Sequence, residues 1–168
     1  MASLDLHRAA MRSLRLETAS AEQTRALAGA MAEVARPGDR LALIGPLGAG
    51  KTQFAKGFAV GLGIDAIVNS PSFTLMAEHE GRLTLFHQDL YRLEGSREAM
   101  EGGLFDERQD DGVTLSEWAD RLAADLDPKR LTVSIEPGPD DLRHVDLSGQ
   151  GEAADRYLEA ARRWRDGA

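Results

Sequence analysis

Apolar and polar residues alternate along SLRLETAS, from Ser13 to Ser20, as they do in a strand with one buried face. Ser20 and Gln23 then stand at capping-box spacing, and Leu27, Met31 and Val34 line one side of the helix they open. Pro37-Gly38 is expected to close it. LALI (41–44) is too short for a buried helix and reads as a strand. From Lys51 to Leu62 the pattern becomes helical, with Phe54, Phe58 and Leu62 at spacings of four and glycines 61 and 63 at the end.

AIVNS (66–70) predicts a further strand, broken at Pro71, and TLMAE and RLTLFHQ predict a hairpin around His79-Glu80-Gly81. Residues 94–111 are acidic and glycine-bearing, a short helix with loop. VTLSE (113–117) is apolar enough for a strand, and WADRLAADL reads as a short helix stopped before Pro128. LTVSIEP and DLRHVDLSG flank the turn PGPDD, which makes them antiparallel neighbours. Tyr157, Ala161 and Trp164 give the last helix one apolar stripe. Nothing repeats internally, so the pattern predicts a single α/β domain with a mixed parallel/antiparallel central sheet flanked by helices.

Between LALI and the helix from Lys51 lies GPLGAGKT, which satisfies G-x-x-x-x-G-K-S/T in the strand-loop-helix setting that this pattern requires. Glycines let successive backbone N–H groups, here Leu47, Gly48, Ala49, Gly50, Lys51, Thr52 and Gln53, converge on a phosphate, and the helix that follows adds the positive end of its dipole. Lys51 is placed to reach the β- and γ-phosphates and Thr52 to ligate Mg²⁺. The expected ligand is a nucleotide, and the expected fold is that of a P-loop NTPase.

Mg²⁺ retains few protein ligands and favours carboxylates near the phosphates. Two acids close predicted strands: Glu117 after VTLS, in the manner of a Walker B element, and Asp89 after RLTLFHQ. Either can position the attacking water. Ser70-Pro71-Ser72-Phe73 puts two hydroxyls where a γ-phosphate-sensing switch commonly lies. His87 and Trp118 have simpler readings as packed residues. LSGQ at 147–150 resembles a transporter ATPase signature, but no acid-terminated strand follows it, and no N-K-x-D motif supports a GTPase.

Charge and composition narrow this further. Twenty basic against 28 acidic side chains give a net charge of −8, the wrong sign for holding nucleic acid through phosphate contacts alone. Any RNA therefore reaches this protein through a partner. The chain lacks cysteine, which excludes thiolate metal sites and fits a reducing cytoplasm, and its four histidines show no i, i+4 pair. No apolar run is long enough to span a bilayer, and the first residues do not read as a secretory signal. Residues 1–12 are expected to be a disordered extension ahead of a P-loop ATPase domain over 13–168.

GPLGAGKT, SPSF, HQDLYRL and SEW, in that order and spacing, resemble the TsaE family, also called YjeE. The resemblance runs from about Ser13 to about Ser148. It implies a small cytoplasmic ATPase that uses ATP and Mg²⁺ and acts with TsaB and TsaD in tRNA threonylcarbamoyladenosine synthesis. Its ATP cycle would reset that complex, and tRNA would be met only through it. It also implies Lys51 and Thr52 as phosphate and Mg²⁺ contacts, Ser70 and Ser72 as a first switch, Asp89 as a second, Glu117 as the Walker B-like acid and Trp118 as a residue needed for function. The chain departs from the family at Pro46, where an acid is usual, at Ser72 in place of threonine and at Ala119 in place of proline. Two other activities fit a phosphate loop: a small-molecule kinase, whose lid would be residues 94–111 with Arg97 and Arg108, and a module that binds nucleotide and scarcely hydrolyses it.

Overall fold

The computed structural model of the chain describes residues 11–46, 48–65, 76–90, 106–117 and 130–167. The strands are β1 (Arg12–Thr18), β2 (Arg40–Ile44), β3 (Met76–His79), β4 (Leu85–Asp89), β5 (Val113–Glu117), β6 (Leu131–Pro137) and β7 (Arg143–Gly149). The helices are α1 (Ala21–Ala32), α2 (Lys51–Gly61) and α3 (Glu152–Gly167), with a 3-10 turn at Glu107–Asp111. The seven strands form one sheet in the order β1-β7-β6-β2-β5-β4-β3. Strands β6, β2, β5 and β4 run parallel, while β1, β7 and β3 pair antiparallel with their neighbours. This is the mixed α/β sheet expected from the pattern. The predicted strand 66–70 and the predicted helix from Trp118 lie outside the described residues, as do residues 1–10; β1 starts at Arg12.

Local chemistry explains the boundaries. Ser20 Oγ accepts from Gln23 N at 3.1 Å and Gln23 Oε1 accepts from Ala19 N at 2.8 Å, so the capping box forms, with its return bond one residue upstream of the cap. α1 stops at Ala32, before the expected Pro37-Gly38, because Arg82 donates to Ala32 O at 2.9 Å and to Ala35 O at 3.2 Å and satisfies carbonyls that the helix end exposes. That commitment also takes Arg82 out of the strand predicted from it, and β4 begins only at Leu85.

α1 and α2 cross closely: a Cβ on Gly57 would lie 2.1 Å from Arg25 O, and one on Gly61 would lie 2.5 Å from Gly29 O. Phe54 and Phe58 stack at 6.3 Å beside this crossing, and both are fully buried with Leu27 and Met31. α3 lies against α1, β1 and β7 through Tyr157, Leu158 and Ala161.

One polar cluster fastens α3 to the turn that leads into β2. Buried Asp39 accepts from Arg156 at 2.7 and 3.1 Å, from Tyr157 Oη, and from the backbone N of Arg36 at 2.8 Å. Burial, together with the Asp39 charge, pushes the Tyr157 phenol well above its ordinary range, so it stays protonated and keeps donating. Removing the carboxylate would leave the buried Tyr157 hydroxyl without its acceptor and the largely buried Arg156 guanidinium with only Glu152 and Val34 O. Asp39→Ala is expected to cost about 3 kcal/mol of unfolding free energy, measured by urea titration.

Candidate functional site: a phosphate loop beside two strand-end acids

The loop begins where β2 ends. Gly45 has φ 154°, and a Cβ there would lie 2.3 Å from Ile135 O, so β6 presses on the loop too closely for any side chain. Gly50, at φ 112°, is the N-cap of α2 and offers it no capping side chain. α1 and α2 thus differ: Ser20 closes the first helix from within, whereas the second leaves its first-turn N–H groups and dipole facing the loop.

The loop chemistry fits an anion. Among the described residues, the N–H groups of Gly48 and Gly50 donate to no backbone acceptor, and a Cβ on Gly48 would have nothing within 4 Å, which describes an open cradle. Ala49 N is the exception; it bonds Pro46 O at 3.1 Å within the loop. Lys51 is buried, and its Nζ donates to the carbonyls of Gly45 and of Pro46, the latter at 2.8 Å. Its ammonium therefore lies folded back over the loop. Gln53 is held from outside, its Oε1 accepting from Arg25 of α1 at 2.6 Å.

The parallel register assembles the acids. Leu43 of β2 pairs with Glu117 of β5, and Glu117 pairs with Asp89 of β4, so Asp89 and Glu117 end adjacent strands on the edge where β2 opens into the loop. Glu117 is 2% exposed. Its Oε2 meets His87 Nε2 at 2.6 Å, and the imidazole is fully buried. Since a carboxylate only accepts, Nε2 donates the hydrogen of this bond, while buried Nδ1 has no partner among the described residues. Behind this pair Ser116 Oγ donates to Gln88 Oε1 at 2.8 Å on the opposite face. Neighbouring His79 is held below the ordinary imidazole range, by burial first and by His87 second.

The structure brings together Gly48, Ala49, Gly50, Lys51, Thr52 and Gln53 in one loop and helix start, with Asp89 and Glu117 on the adjoining edge. Leu47, Ser70, Ser72 and Trp118 lie outside the described residues. Sequence reasoning missed that His87 pairs with Glu117; the i, i+2 spacing of His87 and Asp89 puts both on one face of β4, and that was the available signal. Among the described residues no group of three or more His, Asp or Glu side chains could hold a metal by itself. The fit for Mg²⁺ rests instead on a hydroxyl and strand-end carboxylates that share it with phosphates. Nor is any described helix long and apolar enough to cross a membrane.

Comparison with known proteins adds an independent line. The family described as "Threonylcarbamoyl adenosine biosynthesis protein TsaE" matches residues 18–145. The tRNA threonylcarbamoyladenosine biosynthesis protein TsaE of Bacillus subtilis (strain 168) is 43% identical over 150 residues, covering 89% of this chain and 94% of that one. Its namesake in Treponema pallidum (strain Nichols) is 36% identical over 135 residues, covering 80% of this chain and 100% of the other. The crystal structure of Bacillus subtilis YdiB superposes with a TM-score of 0.74 at 37% identity, covering 91% of this chain and 96% of that chain.

The His87–Glu117 contact makes an energetic claim independent of ligand. In a double-mutant cycle of His87→Ala and Glu117→Ala, unfolding should report a coupling of about 1–3 kcal/mol, because each single change removes the other's buried partner in this contact.

Proposed function

This chain belongs to the TsaE family, and on that premise we propose that it is a Mg²⁺-dependent ATPase that supports tRNA threonylcarbamoyladenosine biosynthesis by binding and resetting a complex of TsaB and TsaD homologues. The observation that carries the ATPase part is the open, side-chain-uncapped N-terminus of α2, with buried Lys51 folded over it and two strand-end acids beside it.

In this reading the backbone N–H groups of Gly48 and Gly50 and the Lys51 ammonium hold the phosphates, Lys51 exchanging its two carbonyl acceptors for phosphate oxygens. Thr52, Asp89 and Glu117 are the residues that would hold Mg²⁺. The bound metal supplies charge neutralisation for the phosphates and the leaving group. Asp89 or Glu117 orients the attacking water, and His87 keeps the Glu117 carboxylate in one rotamer so that it points consistently. Ser70 and Ser72 enter as the switch read from SPSF and from the family resemblance, and Trp118 through the resemblance. A net charge of −8 supports a protein that meets tRNA through its partners.

A kinase reading needs arginines free to clamp a phosphorylated acceptor. Arg108, one of the two in the expected lid, is committed to Asp106 at 3.0 Å and to Glu78 at 2.8 Å. That favours hydrolysis over transfer to a metabolite.

Lys51→Ala is expected to abolish ATP binding in calorimetry, and unchanged affinity would remove the loop from the site. Glu117→Gln should still bind Mg·ATP but hydrolyse it about 100-fold more slowly. A pull-down with purified TsaB and TsaD homologues should retain this chain in a manner that depends on ATP; equal retention with and without nucleotide counts against the resetting role.

A further inference from the structure

The β6–β7 hairpin lies on the flank of the phosphate loop opposite the two acids, since β2 has β5 on one side and β6 on the other. Its turn is shaped by Asp140, which adopts φ 53°, a left-handed conformation that an aspartate tolerates better than most side chains. The turn delivers Arg143, first residue of β7, opposite Pro137 at the end of β6. That is the same edge of the sheet from which the loop departs. A Cβ built on Gly50 would lie 4.0 Å from Arg143 Nε and 3.9 Å from Ile135 Cγ2, so the guanidinium stands next to the cap of α2.

Backbone carbonyls hold Arg143, as they hold Arg82. Exposed arginines such as Arg15 and Arg108 sit on carboxylates, and so does Arg156. Arg143 instead donates through Nη1 to Leu142 O at 2.9 Å and to Asp140 O at 3.4 Å, and among the described residues it has no carboxylate partner. Two backbone carbonyls fix its position without neutralising its charge, and Nε and Nη2 keep their donors. A guanidinium presents those donors as a planar fork that matches phosphate oxygens, beside a loop whose Gly48 and Gly50 N–H groups have no backbone acceptor among the described residues.

We propose that Arg143 is a second cationic ligand of the bound nucleotide, and that it takes the phosphates on the nucleoside side rather than the terminal one. This rests on the nucleotide-binding reading above. The assignment of side follows from the sheet: the acids that would serve metal and water lie across β2 on the β5–β4 flank, where the terminal phosphate must be, which leaves the α- and β-phosphates for the β6–β7 flank. Those two groups are shared by ADP and ATP. Arg143 then anchors the part of the ligand that does not leave, while Lys51 serves the part that changes.

The test measures Mg·ADP and Mg·ATP affinities by calorimetry for the full chain and for Arg143→Ala, Arg143→Lys and Lys51→Ala, with thermal unfolding without nucleotide as the check on folding. Arg143→Ala should weaken both nucleotides by a similar factor, about tenfold, and Arg143→Lys should recover only part of it because an ammonium lacks the fork. If the alanine variant does not fold, Arg143→Gln carries the same comparison. Unchanged affinity for both nucleotides overturns the proposal, and so does a loss confined to ATP, which would put Arg143 at the terminal phosphate. Failure of the unaltered chain to bind either nucleotide defeats the phosphate-loop reading itself and this proposal with it, a result distinct from both.

Discussion

Everything at the sheet edge depends on an end that the protein leaves unfinished: α2 starts at a glycine in a left-handed conformation, with no side chain to accept from its first N–H groups. A glycine at this position forgoes a few tenths of a kcal/mol relative to a good side-chain cap. α1, capped thirty residues upstream at Ser20, shows that this chain can make a good cap when nothing else is required. Lys51 is drawn into the same unfinished region, where its ammonium donates to the carbonyls of Gly45 and Pro46. Donors and cation therefore converge on one place, an arrangement whose chemistry suits an anion.

The neighbouring strands convert that place into a site with two sides. Because β2, β5 and β4 are parallel and in register, Glu117 and Asp89 finish on the edge where the loop begins, without any need for a dedicated loop to carry them. Burying a carboxylate to 2% exposure is costly unless it is paired, and His87 supplies the pair from the adjacent strand. The same contact that makes the burial tolerable also restricts the carboxylate to one orientation. On the other side, Ile135 and Arg143 close against Gly45 and Gly50. Asp39, held by Arg156 and Tyr157 of α3, ties the entry of β2 to the helical layer, so the strand that presents the loop is anchored at its far end as well.

The parts legible in the sequence were those encoded by neighbours along the chain. GPLGAGKT announces itself because the loop needs its glycines and lysine at fixed spacing, and the Ser20 cap needs only Gln23 three residues on. Glu117 and Asp89 were visible because each closes an apolar run. What stayed hidden depends on register between distant strands. His87 and Glu117 are thirty residues apart, and Asp39 and Arg156 are 117 apart; no local pattern says which face of β4 meets which face of β5. Arg143 was hidden for the same reason, since it follows an ordinary turn and acquires meaning only beside Gly50. The early end of α1 was hidden because its cap comes from Arg82, fifty residues later.

Pro46 shows how a departure from the family pattern can leave the chemistry intact. Proline has no N–H to offer a phosphate, so a loop that relied on a donor at this position would be weakened. Here the position contributes its carbonyl instead, which accepts from Lys51 Nζ at 2.8 Å and from Ala49 N at 3.1 Å. The first bond parks the ammonium over the loop and the second fixes the turn that aims Gly48 and Gly50. Proline restricts φ where that turn begins and lowers the entropy lost on forming it. The substitution thus trades a donor for rigidity, and the donors that remain come from the glycines and the first turn of α2, where the dipole already favours negative charge.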